Sequence, residues 1–130
     1  MRVLALDYGS ARCGCAVSDP TGTLATPIEA VERPDTRRGM NRIVGIVRER
    51  GIKKVVVGLP VGLSGSDTAQ TRDARSFAER LGGRIAVPVD LYDERFTTSI
   101  AASRGGAGSE DSRAAAVLLE DYLARHGGEA

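Results

Sequence analysis

Val3-Leu4-Ala5-Leu6-Asp7-Tyr8-Gly9-Ser10-Ala11-Arg12-Cys13-Gly14-Cys15-Ala16-Val17 reads as two strands around a turn. A short apolar run ends at Asp7, Gly9 and Gly14 bracket the reversal, and Cys13 to Val17 forms the return strand. Asp19-Pro20-Thr21-Gly22 is a second strong turn signal, and Thr23 to Val31 gives a third strand, which Pro27 assigns to a sheet edge. Three strands joined by tight turns make an antiparallel meander.

Beyond Pro34-Asp35 the period changes. Met40, Ile43, Val44 and Val47 form the stripe of an amphipathic helix that runs to about Arg50 and stops at Gly51. Lys54 to Gly58 is apolar and β-branched, as in a strand covered on both faces. A glycine-rich loop from Gly62 to Ser66 precedes a second helix with Ala74, Phe77, Ala78 and Leu81 on one face, ending at Gly82-Gly83. Val87 to Tyr92 is a further strand with Asp93-Glu94-Arg95 just beyond it. Thr98 to Ser103 has room for a helical turn or two, and Gly105 to Gly108 is a break. A last helix begins near Ser109 to Asp111 and buries Ala114, Ala115, Leu118, Leu119 and Tyr122. The order β-β-β-α-β-α-β-α is not the regular alternation of a doubly wound nucleotide-binding fold.

With 130 residues, 42% hydrophobic and 27% charged, the expectation is one domain over residues 1–126 and a frayed tail at 127–130. No apolar run approaches the roughly 20 residues that span a bilayer, and the first residues lack the pattern of a secretory signal, which predicts a cytoplasmic chain without membrane partners. Cys13 and Cys15 are badly spaced for a disulfide and have no neighbouring histidine for zinc, so they read as small core residues in a reducing compartment. The formal net charge is only +1, yet of eighteen basic residues two (Lys53 and Lys54) are lysine and sixteen are arginine. Any nucleic-acid footprint is therefore a local patch.

Asp7 ends the first strand and Glu94 follows the last, so both face the crevice beyond the carboxyl ends of the strands if these run parallel. Asp111 joins them if the final helix packs with its N-terminus toward that edge. Converging carboxylates repel unless a cation neutralises them, and an all-oxygen donor set selects Mg²⁺ or Mn²⁺. Each acid also has an ordinary reading: a turn former, a partner of Arg95, a helix cap. In Asp7-Tyr8-Gly9-Ser10-Ala11-Arg12 the carboxylate, the glycine and the arginine suit a phosphate ligand held by a metal. Gly58 leaves room for a polynucleotide backbone, or else simply makes a sharp turn. The loop after it lacks the Gly-Lys-Ser/Thr of an ATP-binding loop.

Four ordered motifs resemble one family. They are Asp7-x-Gly9-x-x-Arg12-x-Gly14-x-Ala16-x-Ser18-Asp19, Val57-Gly58-Leu59-Pro60-x-x-x-x-Gly65, Asp93-Glu94-Arg95-x-Thr97-Thr98, and Asp111-x-x-Ala114-Ala115 with Tyr122-Leu123. Together they are similar to the YqgF/RuvX family across nearly the whole chain. The resemblance implies an RNase H-like α/β fold, a five-stranded mixed sheet with helices on both faces. It implies a metal-dependent nuclease that processes the 5′ end of precursor 16S ribosomal RNA. An older family proposal is cleavage of four-way Holliday junctions, which calls for a dimer. It places metal ligands at Asp7, Glu94 and Asp111, with Asp93 a weaker contributor, around one or two Mg²⁺ or Mn²⁺ ions. It implies substrate contacts at Arg12, Arg95, Gly58 and Gly65. Ser109-Glu110 stand before Asp111 where the family carries basic and apolar residues, and Gly58 ends the strand that carries an acid in RuvC-type resolvases. A reading of another class is a non-catalytic factor that binds RNA or ribosomal particles through Arg37, Arg38, Arg42, Arg72 or Arg104.

Overall fold

The computed structural model of the chain describes residues 1–60, 68–93 and 110–126, apart from the side chains at 110, 111 and 126. Its elements are β1 (Val3–Asp7), β2 (Arg12–Ser18), β3 (Ala25–Glu32), α1 (Arg37–Glu49), β4 (Lys54–Leu59), α2 (Ala69–Gly82), β5 (Val89–Asp93) and α3 (Glu110–His126). This is the succession expected from the sequence. The predicted turns at 98–103, the glycine-rich stretches at 62–66 and 105–108 and the tail at 127–130 lie outside the described residues.

The five strands form one mixed sheet in the order β3-β2-β1-β4-β5. β1 is antiparallel to β2, and β2 to β3, which is the predicted meander. β1 runs parallel to β4, and β4 to β5, so these three strands end at one edge. Pro27 sits in the edge strand β3, where its missing N–H leaves no hole in a central ladder. β5 starts two residues later than the apolar run suggests. Pro88 has no N–H to pair, and its carbonyl instead accepts from Val55 N at 3.0 Å.

Alternation along the strands sends side chains to two cores. Leu4, Leu6, Cys13, Cys15, Val55 and Val57 meet Ile43, Val47, Phe77 and Leu81 of α1 and α2. Val3, Ala5, Ala16, Val56 and Tyr92 meet Ala115, Leu118, Leu119 and Tyr122 of α3. Helices therefore cover both faces. Both cysteines are buried and form no disulfide, in the packing role expected of them. The stripe predicted for α1 is buried in full, as is that of α2. In α3 the structure buries Val117 and leaves Ala114 only half-buried. That helix packs across β1, β2 and β3 together, which demands a broader apolar face than a single stripe.

The helix starts follow from side-chain chemistry. Thr36 accepts a bond from Gly39 N at 3.1 Å and caps α1. Thr68 and Thr71 form a reciprocal capping box at α2. Thr71 Oγ1 also donates to the Pro60 carbonyl at 2.7 Å, tying the start of α2 to the end of β4.

All three tyrosines of the chain donate their hydroxyls to carboxylates: Tyr8 to Asp35, Tyr92 to Asp121, and Tyr122 to Asp90 at 2.9 Å. Burial is the largest cause holding each phenol protonated, and it pushes Tyr92 up to about 12 and raises Tyr8 and Tyr122 as well. The carboxylate acceptor adds to this, while Lys54 acts in the opposite direction on Tyr122. An unfolded tyrosine ionises near pH 10, so the neutral phenols stabilise the fold fully below that pH. Their contribution disappears as pH rises toward the folded values. We therefore expect tyrosinate absorbance to stay flat past pH 10 and to rise together with the loss of circular dichroism. Tyrosines that titrate near pH 10 in an intact fold would contradict this packing.

Candidate active site

Asp7 is the last residue of β1 and is half-buried. It shares strand parity with Val3 and Ala5, so it leaves the sheet on the face covered by α3. Asp7 lies opposite Gly14 in β2. In β4 it is next in register after the pair Leu6 and Val57, which puts it beside Gly58, and Gly58 pairs with Tyr92. The row across the sheet is therefore Gly14–Asp7–Gly58–Tyr92. The one carboxylate in this row is flanked on both sides by residues without side chains. Neither neighbouring strand places a side chain beside Asp7 in this row, and both glycines are buried.

The turn after Asp7 is held closely. A Cβ on Gly9 would lie 2.7 Å from the Arg12 carbonyl oxygen, so only glycine lets the chain fold back this tightly. The Ala11 carbonyl accepts from Arg33 N at 2.9 Å, which fastens the same turn to the end of β3. Arg12 opens β2 with the parity of Gly14 and Ala16, on the face and at the edge of Asp7. On the opposite face Tyr8 stacks on Phe77 with centroids 4.8 Å apart, and its hydroxyl reaches Asp35, which also pairs with Arg80.

The start of α3 comes to the same place. Ser112 is fully buried, and its Oγ accepts from Cys15 N at 3.2 Å. Cys15 faces Leu6 across the ladder, one residue from Asp7. Asp111 precedes Ser112 in the first turn of α3, at the edge where β1 ends; its side chain is outside the described residues. Farther along, α3 is clamped to the sheet by Tyr122 Oη on Asp90, whose carboxylate also lies 3.0 Å from Lys54 Nζ of β4, and by the Tyr92 hydroxyl on Asp121.

Asp93 ends β5 beside Leu59. It alternates with Tyr92, which belongs to the α3 face, so Asp93 leaves on the α1/α2 face, away from Asp7. Glu94, Arg95 and Gly65 lie outside the described residues. Among the described residues no three His, Cys, Asp or Glu side chains group closely enough to hold a metal. Asp7 is the only one of the three expected ligands whose side chain is described.

Residues 1–125 match the family model of RuvX, described as Holliday junction resolvase. The chain belongs to the RuvX family. Its relatives include proteins named "Putative pre-16S rRNA nuclease". One from Koribacter versatilis is 38% identical over 97% of this chain and 88% of its own length. Another, from Mycobacteroides abscessus, is 44% identical over 94% of this chain and 80% of its own. Among solved structures, RuvC of Thermus thermophilus superposes with a TM-score of 0.64 at 17% identity, covering 98% of this chain and 97% of that one. The fowlpox virus Holliday junction resolvase gives 0.57 at 10% identity, covering 97% and 99%. These likenesses show the RNase H-like fold for this RuvX-family chain.

Two contributors to the site were absent from the sequence reading. Ser112, which docks α3 beside Asp7, sits in a helix start where serine ordinarily caps, and nothing local marks its bond to a strand 97 residues away. The Tyr8–Asp35–Arg80 linkage likewise joins residues from three separate segments, the turn after β1, the loop before α1 and α2.

Proposed function

We propose that the chain is a metal-dependent endonuclease that hydrolyses phosphodiester bonds, processing the 5′ end of precursor 16S ribosomal RNA. What carries this reading is identity of 38–44% to the relatives so named, over nearly all of the chain. The geometry around Asp7 supplies the chemistry.

A half-buried carboxylate at a strand end is a hard oxygen donor of the kind Mg²⁺ and Mn²⁺ select, so the described residue fits the ion. In this reading Asp7, Glu94 and Asp111 hold it, and Asp93, directed to the other face, does not. When bound, the ion lowers the pKa of a coordinated water and neutralises charge developing on the leaving oxygen. The chain's own residues do the positioning. Gly14 and Gly58 admit the sugar–phosphate backbone to the carboxylate. Arg12 takes a phosphate oxygen through its guanidinium fork on the same face, with Arg95 as its counterpart beyond β5. Ser112 fixes the start of α3 and so the approach of Asp111. Gly65, which follows β4 in the chain, completes the substrate contacts. The single histidine, His126, stands at the end of α3, and no step here needs a side-chain base. We place the protein in the cytoplasm, with ribosomal precursor particles as its partners; no helix among the described residues is long and apolar enough to cross a membrane.

A second reading, cleavage of a four-way DNA junction, is favoured by the description of the family model. It requires two sites in a dimer, whereas the RNA reading is satisfied by a monomer. Cleavage of a precursor 16S leader and of a four-way junction, each with Mg²⁺ or Mn²⁺, separates the two. We expect metal-dependent cutting of the RNA at defined positions. Symmetrical nicking of the junction, with the RNA left intact, would replace the first reading by the second.

A further inference from the structure

The sequence offers Arg37, Arg38, Arg42, Arg72 and Arg104 as candidate contacts, and the structure separates paired from unpaired guanidiniums among the described residues. Arg42 pairs with Glu29 at 2.8 Å, Arg80 with Asp35, and Arg125 with Asp121 at 3.1 Å. Arg33, Arg37 and Arg38 are exposed and have no carboxylate partner among the described residues. Arg84 meets only the neutral side-chain carbonyl of Asn41, at 2.6 Å. Arg37 and Arg84 line one groove, and Arg33 and Arg38 flank Arg37 in the chain. The Arg33 carbonyl accepts from Thr36 N at 3.0 Å, so the chain turns directly from Arg33 into the first turn of α1. There Arg37 and Met40 form one wall of a groove of about 380 Å³, with Arg80, Gly83 and Arg84 as the other. Asp35 is the one carboxylate lining that groove, and Arg80 already neutralises it.

The groove adjoins the catalytic edge. The Tyr8 hydroxyl bonds Asp35 at the groove, while Tyr8 itself follows Asp7 in the chain. Arg33 is also tied through its N–H to the turn between β1 and β2. A chain of net charge +1 thus carries, in and beside this groove, four guanidiniums without a carboxylate partner among the described residues. A repeating anion is the complementary partner, and arginine forks match phosphate oxygens bidentately.

We infer that Arg33, Arg37, Arg38 and Arg84 form a phosphate-gripping surface that holds the polynucleotide backbone leading away from the scissile bond. The inference rests on the nuclease reading and assigns that site a second, sequence-independent contact. The surface positions the substrate and makes binding salt-dependent, while the bond-breaking groups lie at Asp7.

The test measures binding of the full chain by fluorescence anisotropy in EDTA, against salt concentration, for a precursor 16S leader and for a four-way junction. Cleavage is followed separately with Mg²⁺. The R37A/R38A double variant should bind about tenfold more weakly. Its slope of log affinity against log salt should fall by about 1.5–2, and cleavage at saturating substrate should keep its rate. R48A removes an equally exposed arginine from the far end of α1, about 16 Å along the helix axis. It should bind within about twofold of the parent, with a slope reduced by less than 1. A loss confined to one nucleic acid identifies which backbone the surface holds. If R37A/R38A binds with the affinity and slope of R48A while the parent cleaves, the surface is refuted and the nuclease reading stands. If the double variant shows the predicted loss but the parent never cleaves, the surface stands and the nuclease reading fails.

Discussion

Asp7→Asn lowers the single-turnover rate of phosphodiester cleavage by about a thousandfold or more, a loss of roughly 4 kcal/mol in transition-state stabilisation. The substitution keeps the size and most of the shape of the side chain, and replaces one carboxylate oxygen by a group that carries no charge and cannot bind a hard cation. Asp7 lies between Gly14 and Gly58, so no neighbouring side chain on either strand stands ready to take over. The fold should survive, with stability within about 1 kcal/mol of the parent. In metal-free buffer the variant should be no less stable if Glu94 and Asp111 converge on Asp7 as proposed, because one of the repelling charges has been removed. Affinity for nucleic acid, which depends on arginines, should change little. Cleavage by the variant at the parent's rate would remove Asp7 from the site and mark the parent's activity as a contaminant.

Phe77→Ala costs about 3–5 kcal/mol and lowers the melting temperature by about 10–20 °C. Phe77 is fully buried in the core between the sheet and α1/α2, where no solvent can fill the space left behind. It also carries the ring of Tyr8 at 4.8 Å, so the cavity opens directly beneath the residue that follows Asp7. Activity should therefore fall at temperatures where the variant is still folded, because Tyr8, Asp35 and Arg80 no longer hold the strand end rigidly. Thermal unfolding followed by circular dichroism gives the first number, and the cleavage rate well below the transition gives the second. A melting temperature unchanged to within about 2 °C would show that this core is not packed as described.

The sheet was legible because its signals are local: turn residues at Asp19 to Gly22, a proline in the edge strand, and a switch of apolar period from 2 to 3.6 after Pro34. The helix faces followed from the same periodicity, and only the breadth of the α3 face escaped it. Asp7 stood out because it belongs to a compact motif with Gly9 and Arg12. What sequence reasoning could not supply was register. The row Gly14–Asp7–Gly58 comes from three strands, and a slip of one residue would send Asp7 to the opposite face. The same parity separates Asp93 from Asp7, although Asp93 and Glu94 are neighbours in the chain. Long-range bonds were equally invisible. Ser112 meets Cys15 across 97 positions and Tyr8 meets Asp35 across 27, with no pattern in either segment that names its partner.

In the proposed site, carboxylates from the end of β1, the residue after β5 and the first turn of α3 share one cation. Calorimetric titration of the metal-free protein with Mn²⁺ tests this without any substrate. Asp7→Asn, Glu94→Gln and Asp111→Asn should each weaken binding by more than about tenfold, whereas Asp93→Asn should leave it within about twofold. Parent affinity in Glu94→Gln or Asp111→Asn, or a loss in Asp93→Asn equal to that in Asp7→Asn, would contradict it.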